Sequence, residues 1–305
     1  MHIHDIFAAH RPTFSFEFFP PKTEKGADAL FAAVRRLEPL KPSFVSMTYG
    51  AGGSTRGLTH DLVLRLKRET SLLPMPHLTC VCHDEAEIAE ILEHYASAGV
   101  SNILALGGDP PRQLDNYDRS RDHFQHAGDL VRYIRTFNRS GKHPDRRGFG
   151  VGVAGFPEGH PATPNRLQEM DNLKAKVDEG ADFIITQLCF DNHDFLDFRE
   201  RCEVAGISVP IIAGVMPVQS LEHMRRMASL ALGARYPARL QRAVTRCGHD
   251  SEAISRVGIH WATEQCLALL DQDVAGLHFY TLNKSDATLE IYRSLGVTDS
   301  VALQA

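Results

Sequence analysis

The sequence has no long apolar run. Its most apolar stretch, residues 209–218, falls far short of the roughly 20 residues that a membrane helix needs. No positively charged and then apolar segment opens the chain, so we expect no signal peptide. Basic residues are not in excess either: 33 Lys and Arg stand against 38 Asp and Glu, for a net charge of −5. This balance argues against nucleic-acid binding and against binding to a membrane surface.

Several chemical signatures are also missing. The six cysteines are scattered along 305 residues, which is typical of reduced thiols and not of a disulfide framework. The Cys80-Val81-Cys82-His83 segment lacks a second pair of ligands, so we expect no metal site. There is no G-x-S-x-G, Walker loop or H-E-x-x-H motif. Hydrophobic residues make up 43% of the chain, which is ordinary for a globular protein. We therefore expect a cytoplasmic, enzyme-sized protein.

One pattern recurs along the chain: a short β-rich run, a turn, a helical stretch, and then a glycine or proline. The predicted strands are 13–19, 43–48, 77–82, 102–106, 149–154, 183–188, 210–213 and 276–282. Runs such as Phe183-Ile184-Ile185 are continuously apolar, as in parallel strands covered on both faces. Eight such alternations predict an α/β fold, a (β/α)₈ TIM-type barrel forming a single domain over residues 1–305.

The helical stretches carry start and stop signals. Asp84 is a predicted N-cap, and Gly99 ends that helix. In a later stretch Thr163 is the predicted cap, Pro164 takes the first helical position, and Leu167 begins an apolar stripe. Between the seventh and eighth strands, residues 231–273 form an insertion long enough for two extra helices.

A doubly wound sheet is the alternative fold, because residues 150–155 match G-x-G-x-x-G. That motif needs a strand, a glycine turn and then a helix. Here the glycines lie within a strand pattern and lead into Phe156-Pro157-Glu158-Gly159-His160-Pro161, which does not open a helix. The context therefore argues against a dinucleotide fingerprint.

In a (β/α)₈ barrel the active site forms at the C-terminal ends of the strands. Polar side chains follow nearly every predicted strand: Glu17, Thr48, His77, Thr79, Asp109, His160, Gln187, Tyr280 and Asn283. Glu17 stands among four phenylalanines, and desolvation there would suit it to act as a general acid. It is also consistent with an outward or arginine-paired glutamate. Asp109 is equally consistent with a plain turn residue, and His77 and His160 with satisfied core histidines.

At these residues the chain resembles the methylenetetrahydrofolate reductases of the bacterial type, from Phe14 to about Tyr292. The matching blocks are FEFFPPKT at 16–23, VSMTYGA at 45–51, PHLTC at 76–80, GDPP at 108–111, FPEGHP at 156–161, LKAKVD at 173–178, ITQ at 185–187 and HFYTLN at 278–283. Eight blocks in the same order make the resemblance specific.

The resemblance implies a barrel with non-covalent FAD, which NAD(P)H reduces and which passes hydride to 5,10-methylenetetrahydrofolate to give 5-methyltetrahydrofolate. Glu17 matches the general acid that opens the folate ring, and Asp109 a residue beside flavin and pterin. Gln187 matches a pterin ligand, and Leu221 and Tyr280 belong to the substrate side. The implied cofactor-binding positions are Thr48, His77, Leu106, Gly107, Gly108, Asp109, His126, His160, Glu169, Asn172 and Lys176.

The chain departs from the family pattern at several positions. The family often has arginine where this chain has Gly107 and tyrosine where it has His126. Some members have arginine where this chain has Ala175, and aspartate where it has Glu169. Where this chain has Leu221, some have a phenylalanine that stacks on the folate. Fewer cations would weaken contacts to the diphosphate. We therefore expect weak or altered FAD binding, with direct hydride transfer from NAD(P)H as the alternative.

Other functions stay open at this point. A non-redox folate-dependent transferase or lyase could use the same barrel, and a flavin or folate sensor could have lost turnover. Members with a regulatory C-terminal domain are much longer, so we expect no inhibition through such a domain. The family makes a homo-oligomer plausible, with a reduced folate as the small-molecule partner. The residues do not distinguish NADH from NADPH, nor indicate a polyglutamate preference.

Overall fold

Eight parallel strands close into a barrel in the order β1-β2-β3-β4-β5-β6-β7-β8 in the computed structural model, which describes residues 1–50, 56–111, 117–231 and 234–304. The strands are β1 Thr13–Phe18, β2 Phe44–Met47, β3 Pro74–Thr79, β4 Asn102–Leu106, β5 Gly150–Gly155, β6 Phe183–Thr186, β7 Ile211–Val215 and β8 Gly276–Tyr280. β8 pairs with β1 in parallel. The predicted (β/α)₈ barrel is therefore confirmed.

Helices alternate with the strands and cover the outside of the barrel. They are α1 Ile3–Ala9, α2 Glu24–Leu37, α3 Arg56–Glu69, α4 Glu85–Ser97, α5 Ala127–Arg139, α6 Arg166–Asp178, α7 Asn192–Val204, α8 Leu221–Leu230, α9 Ala238–Arg246, α10 Ser251–Leu270 and α11 Asp286–Ser294. None of the described helices is long and apolar enough to cross a bilayer. Ala51 of the block at 45–51, and residues 232–233 of the insertion, lie outside the described residues.

The strand predictions differ from the structure mainly at β3. The predicted run 77–82 begins and ends three residues too far along the chain, since β3 spans Pro74–Thr79. Two prolines in its first half argue against a strand in sequence, yet Pro74 and Pro76 pair in register with β2. Residues 150–155, which match a glycine-rich fingerprint, form β5 and are followed by a turn. The dinucleotide alternative is thus excluded by the structure.

Helix starts were predicted correctly at α4 and wrongly at α6. Asp84 caps α4 with a full capping box, and Gly99 adopts φ +69° just beyond its end. α6 is capped by Asn165, whose side chain accepts bonds from the amides of residues 167 and 168, so Thr163 is not the cap. Leu167 fits the predicted apolar stripe but is 80% exposed in the first turn of α6.

The barrel has a floor and a mouth. α1 lies across the N-terminal ends of the strands, where Ile3 and Ile6 join a buried cluster with residues that fill the barrel. The amide of Ile3 donates to Asn102 Oδ1 at 2.7 Å, and Asn102 Nδ2 donates to the Met1 carbonyl at 3.0 Å. Among the described residues, α1 thus covers this end of the barrel, and the active site is expected at the other end, where the strands have their C-termini.

Three helices lie between β7 and β8. α8, α9 and α10 share a separate apolar cluster with the segment that follows β6. Phe190 stacks on Tyr236 with ring centroids 4.5 Å apart, and Trp261 Nε1 donates to the Phe190 carbonyl at 2.9 Å. Glu158, just after β5, accepts bonds from the amide and Nε of Arg235 at 2.9–3.1 Å. These contacts fix the insertion beside the mouth.

Candidate active site

Glu17 points into the mouth of the barrel from β1. Its strand neighbours Phe16 and Phe18 face the other way and pack in the outer core, because successive side chains of a strand alternate between its two faces. The expectation that phenylalanines desolvate Glu17 is therefore wrong. Its side chain is 18% exposed, and its polar neighbours are two histidines.

His77 and His278 approach the same oxygen of Glu17. Nε2 of each ring lies 3.5 Å from Glu17 Oε2, which is long for a hydrogen bond. Burial lowers the pKa of His77 to about 4, although Glu17 opposes this shift. His77 is thus neutral near pH 7 and does not stabilise an ionised Glu17 as a cation would.

His278 is fully buried and belongs to a chain of polar groups. Its Nδ1 lies 2.7 Å from Ser15 Oγ, and its Nε2 lies 3.5 Å from Ser46 Oγ. The Ser15 hydroxyl can donate either to Nδ1 or to the Leu277 carbonyl at 3.4 Å. The two choices correspond to the two neutral tautomers of the ring. His278 can therefore present either a proton or a lone pair to Glu17 without any movement of heavy atoms.

Two polar atoms of β3 are buried without a hydrogen-bond partner among the described residues: Thr79 Oγ1, and His77 Nε2, which lies 3.5 Å from Glu17 Oε2. Buried polar groups are nearly always satisfied, so such atoms at a barrel mouth indicate a place for a polar ligand. Gly108 lies beside them at φ +77°, and a Cβ there would approach Thr79 Cβ to 2.8 Å and Val81 Cγ2 to 2.5 Å. The close turn therefore requires glycine.

A second group of side chains gathers around His160, which follows β5. Burial lowers the pKa of His160; Glu169 and Asp109 oppose the shift, and Lys176 and Arg119 add to it. Lys176 Nζ donates to the Ala154 carbonyl at 2.7 Å. Burial lowers the pKa of Lys176 to about 8, with Glu169 opposing. The structure thus brings four predicted positions from three elements together.

The predicted substrate positions cluster near β6 and β8. Tyr280 is the register partner of Glu17, and its hydroxyl donates to the Thr186 carbonyl at 2.8 Å. Burial, and then the charge of Glu17, raise the pKa of Tyr280 well above its ordinary value. Gln187 follows β6, and its Oε1 accepts the amide of Leu188, which leaves its NH₂ for a ligand. Leu221 packs in the same apolar cluster as Tyr280.

The remaining predicted positions are more peripheral. Thr48 and Leu106 are half-buried at the ends of β2 and β4. His126 is exposed and caps α5, with its amide bonded to Asp129 Oδ2. Asn172 is exposed on α6 and accepts a bond from Gln168. Gly107 is half-buried in the turn after β4. Of these positions, none contacts Glu17 in the part of the chain that the structure describes.

Sequence reasoning missed two residues. His278 opens the matching block at 278–283 but was assigned no role there; its place opposite Ser15 follows from the pairing of β1 with β8. Arg119 donates to the carbonyls of Gly107 and Gly108, and nothing in its turn-rich segment signals this. No group of three His, Cys, Asp or Glu side chains suited to a metal ion occurs among the described residues.

Comparison with known proteins places the chain in a family. A family model for methylenetetrahydrofolate reductase matches residues 2–296. The 5,10-methylenetetrahydrofolate reductase of Escherichia coli (strain K12) is 36% identical, with 93% of this chain and 90% of the relative covered. Methylenetetrahydrofolate reductase (NADH) 1 of Arabidopsis thaliana is 41% identical, but the match covers 94% of this chain and 48% of the relative. The chain therefore spans about half the length of that plant relative.

A solved structure supports the fold. An uncharacterized protein from Clostridium thermocellum, which binds two copies of 5-methyl-5,6,7,8-tetrahydrofolic acid, superimposes with a TM-score of 0.64 at 15% identity. The alignment covers 99% of this chain and 96% of that one, so the whole barrel is shared. On the family match and the bacterial relative, this chain belongs to the methylenetetrahydrofolate reductase family.

Proposed function

We propose that this protein reduces 5,10-methylenetetrahydrofolate to 5-methyltetrahydrofolate with NAD(P)H, through bound FAD. One observation carries the proposal: Glu17 stands in the barrel mouth beside a neutral His77 and a tautomeric His278. Family membership supplies the substrate class. The plant relative is named for NADH, which favours NADH as the reductant.

The proposed chemistry needs one proton from the protein. The Glu17 carboxyl donates it to the bridging nitrogen of the folate, the bond from that nitrogen to the methylene carbon breaks, and an electrophilic iminium remains. Hydride then adds to the methylene carbon to give the methyl group. The reaction consumes one NAD(P)H and one proton, so Glu17 must take up a proton again in each turnover.

His278 can accommodate both states of Glu17. When Glu17 is protonated, an Nδ1–H tautomer turns the Nε2 lone pair toward it; when Glu17 is ionised, the Nε2–H tautomer turns a donor toward it. The Ser15 hydroxyl reorients to suit each case. Catalytic hydrogen bonds are often long without substrate, so the 3.5 Å separation is compatible with this role.

The residues present fit FAD. The unpartnered His77 Nε2 and Thr79 Oγ1, the close turn at Gly108 and the cation Lys176 offer hydrogen bonds, a narrow approach and positive charge. FAD would supply the two-electron carrier between NAD(P)H and the folate. Asp109 would lie beside flavin and pterin, and the free NH₂ of Gln187 would bind the pterin.

Two measurements test this function. The absorbance spectrum of the purified protein should show oxidised flavin, and methylenetetrahydrofolate should drive NADH oxidation that is lost when the flavin is removed and restored when FAD is added. NADH oxidation without flavin would instead indicate direct hydride transfer. Folate turnover without NADH oxidation would indicate a transferase or lyase. Folate or flavin binding without any turnover would indicate a sensor.

Lys176 makes FAD binding depend on pH. Because burial lowers the pKa of the free lysine to about 8, an anionic diphosphate beside it must bind the protonated form. Binding then takes up a proton, and the FAD affinity should fall as the pH rises above 8, by up to about tenfold per pH unit. Titration of flavin fluorescence between pH 7 and 9.5 measures this.

The matching variant is Lys176→Arg, since arginine remains charged throughout this range. It should flatten the pH dependence. Lys174→Arg, a change on the same helix at a lysine paired with Asp178, should leave the slope intact. An unchanged slope in Lys176→Arg would contradict the assignment.

A further inference from the structure

Arg119 reaches from the loop before α5 into the turn that follows β4. Nη1 donates to the Gly108 carbonyl at 2.9 Å, and Nη2 donates to the carbonyls of Gly107 at 3.0 Å and Gln125 at 3.4 Å. The guanidinium is therefore held in one position by backbone acceptors beside Asp109. Arg119 is half-buried, so it is not a free surface side chain.

The guanidinium of Arg119 lies close to Gly107. A Cβ on residue 107 would lie 3.1 Å from Arg119 Nη2, closer than such contacts usually come. A side chain at 107 would therefore require the guanidinium to shift by a few tenths of an ångström. The absence of a cation at position 107 thus does not leave this turn without positive charge, because Arg119 brings its guanidinium to the same place.

The charge of Arg119 is not compensated locally. All of its hydrogen bonds go to neutral carbonyls, and no carboxylate lies within ion-pair distance among the described residues. The nearby Asp118 instead bonds Ser120 and pairs with Arg121 at 3.4 Å. Lys176 also bonds only a carbonyl, and both cations act on His160. The carboxylates of Glu169 and Asp109 act on the same histidine, so an anion here would be bound through direct hydrogen bonds from Arg119 and Lys176 and not through an excess of positive charge.

We propose that Arg119, whose guanidinium lies close to Gly107, binds a phosphate of the flavin nucleotide. The inference rests on the proposed function, since it takes FAD as the ligand. It removes one of the grounds for expecting weak FAD binding, the missing cation at Gly107, and leaves those at His126 and Ala175. Three of the five N–H groups of Arg119 donate to backbone carbonyls, and the other two, one on Nε and one on Nη1, can donate to a phosphate.

The test is FAD affinity, measured by fluorescence titration at low and high salt. Arg119→Gln should weaken FAD binding about tenfold or more at low salt, and the loss should shrink at high salt because a charge is removed. The FAD affinity of Arg119→Lys should lie between that of the wild type and that of Arg119→Gln. The control is Arg121→Gln, two residues away on an 86% exposed side chain, which should bind FAD as the wild type does.

Riboflavin, which lacks phosphate, separates binding from loop support. If Arg119 only supports the β4 turn, Arg119→Gln weakens riboflavin and FAD equally, at any salt, and the proposal fails. It also fails if FAD affinity is unchanged or if the wild type binds no FAD. NADH oxidation driven by methylenetetrahydrofolate in the wild type tests the proposed function separately, so either idea can fail alone.

Discussion

Replacing Glu17 with glutamine should lower folate turnover by about 10²–10⁴-fold, the usual contribution of a general acid. Glutamine has nearly the same shape but its amide cannot release a proton to the bridging nitrogen. Reduction of FAD by NADH needs no such proton from Glu17, so it should continue at close to the wild-type rate. Stopped-flow measurement of the two half-reactions distinguishes these effects.

A matched variant controls for the loss of one negative charge. Glu24 is exposed in the first turn of α2, and Glu24→Gln should leave both half-reactions unchanged. If Glu17→Gln retains folate turnover within tenfold of the wild type, Glu17 is not the general acid. If both half-reactions fall together, Glu17 instead contributes to flavin binding.

The role of Glu17 was inferred from sequence for a reason that the structure does not support. The phenylalanines around it pointed to a desolvated carboxyl, but strand alternation turns Phe16 and Phe18 to the outer face. What lies against Glu17 is His278, contributed by the strand that closes the barrel. A pairing across 261 residues cannot be found from local pattern, because it depends on which strands are neighbours.

The barrel itself was predictable because its signals are local. Apolar runs such as residues 183–186 and stops such as Gly99 repeat eight times, and right-handed crossovers join successive parallel strands. Predictions failed where tertiary contacts override local preference. The prolines of β3 pair in a strand, and Leu167 is exposed although it fits the helical period. In the site, Arg119 was missed for the same reason, since only folding brings it to Gly107.

A substitution at the N-terminal end of the barrel should have a large effect on stability. Asp182 lies just before β6 with its side chain 10% exposed. Its Oδ2 accepts bonds from Arg135 Nη2 and from the Val151 amide, both at 2.6 Å, and Oδ1 lies 3.0 Å from His4 Nε2. One carboxylate thus joins α5, β5 and α1. Its loss removes the counterion of the half-buried Arg135 guanidinium, which keeps its bonds to the Gly180 and Phe149 carbonyls, and leaves the Val151 amide without its acceptor.

Asp182→Ala should therefore lower the free energy of unfolding by about 3–5 kcal/mol, as for other broken buried pairs. Asp182→Asn keeps an acceptor for the Val151 amide but loses the charge, so its free energy of unfolding should lie between those of the wild type and Asp182→Ala. The control is Asp178→Ala. The Asp178 side chain is 58% exposed and pairs with Lys174, so the expected loss of unfolding free energy is below about 1 kcal/mol. Urea unfolding followed by the fluorescence of Trp261, the single tryptophan, measures all three. If Asp182→Ala costs no more than this control, the floor is held by the apolar packing of α1 and not by the carboxylate.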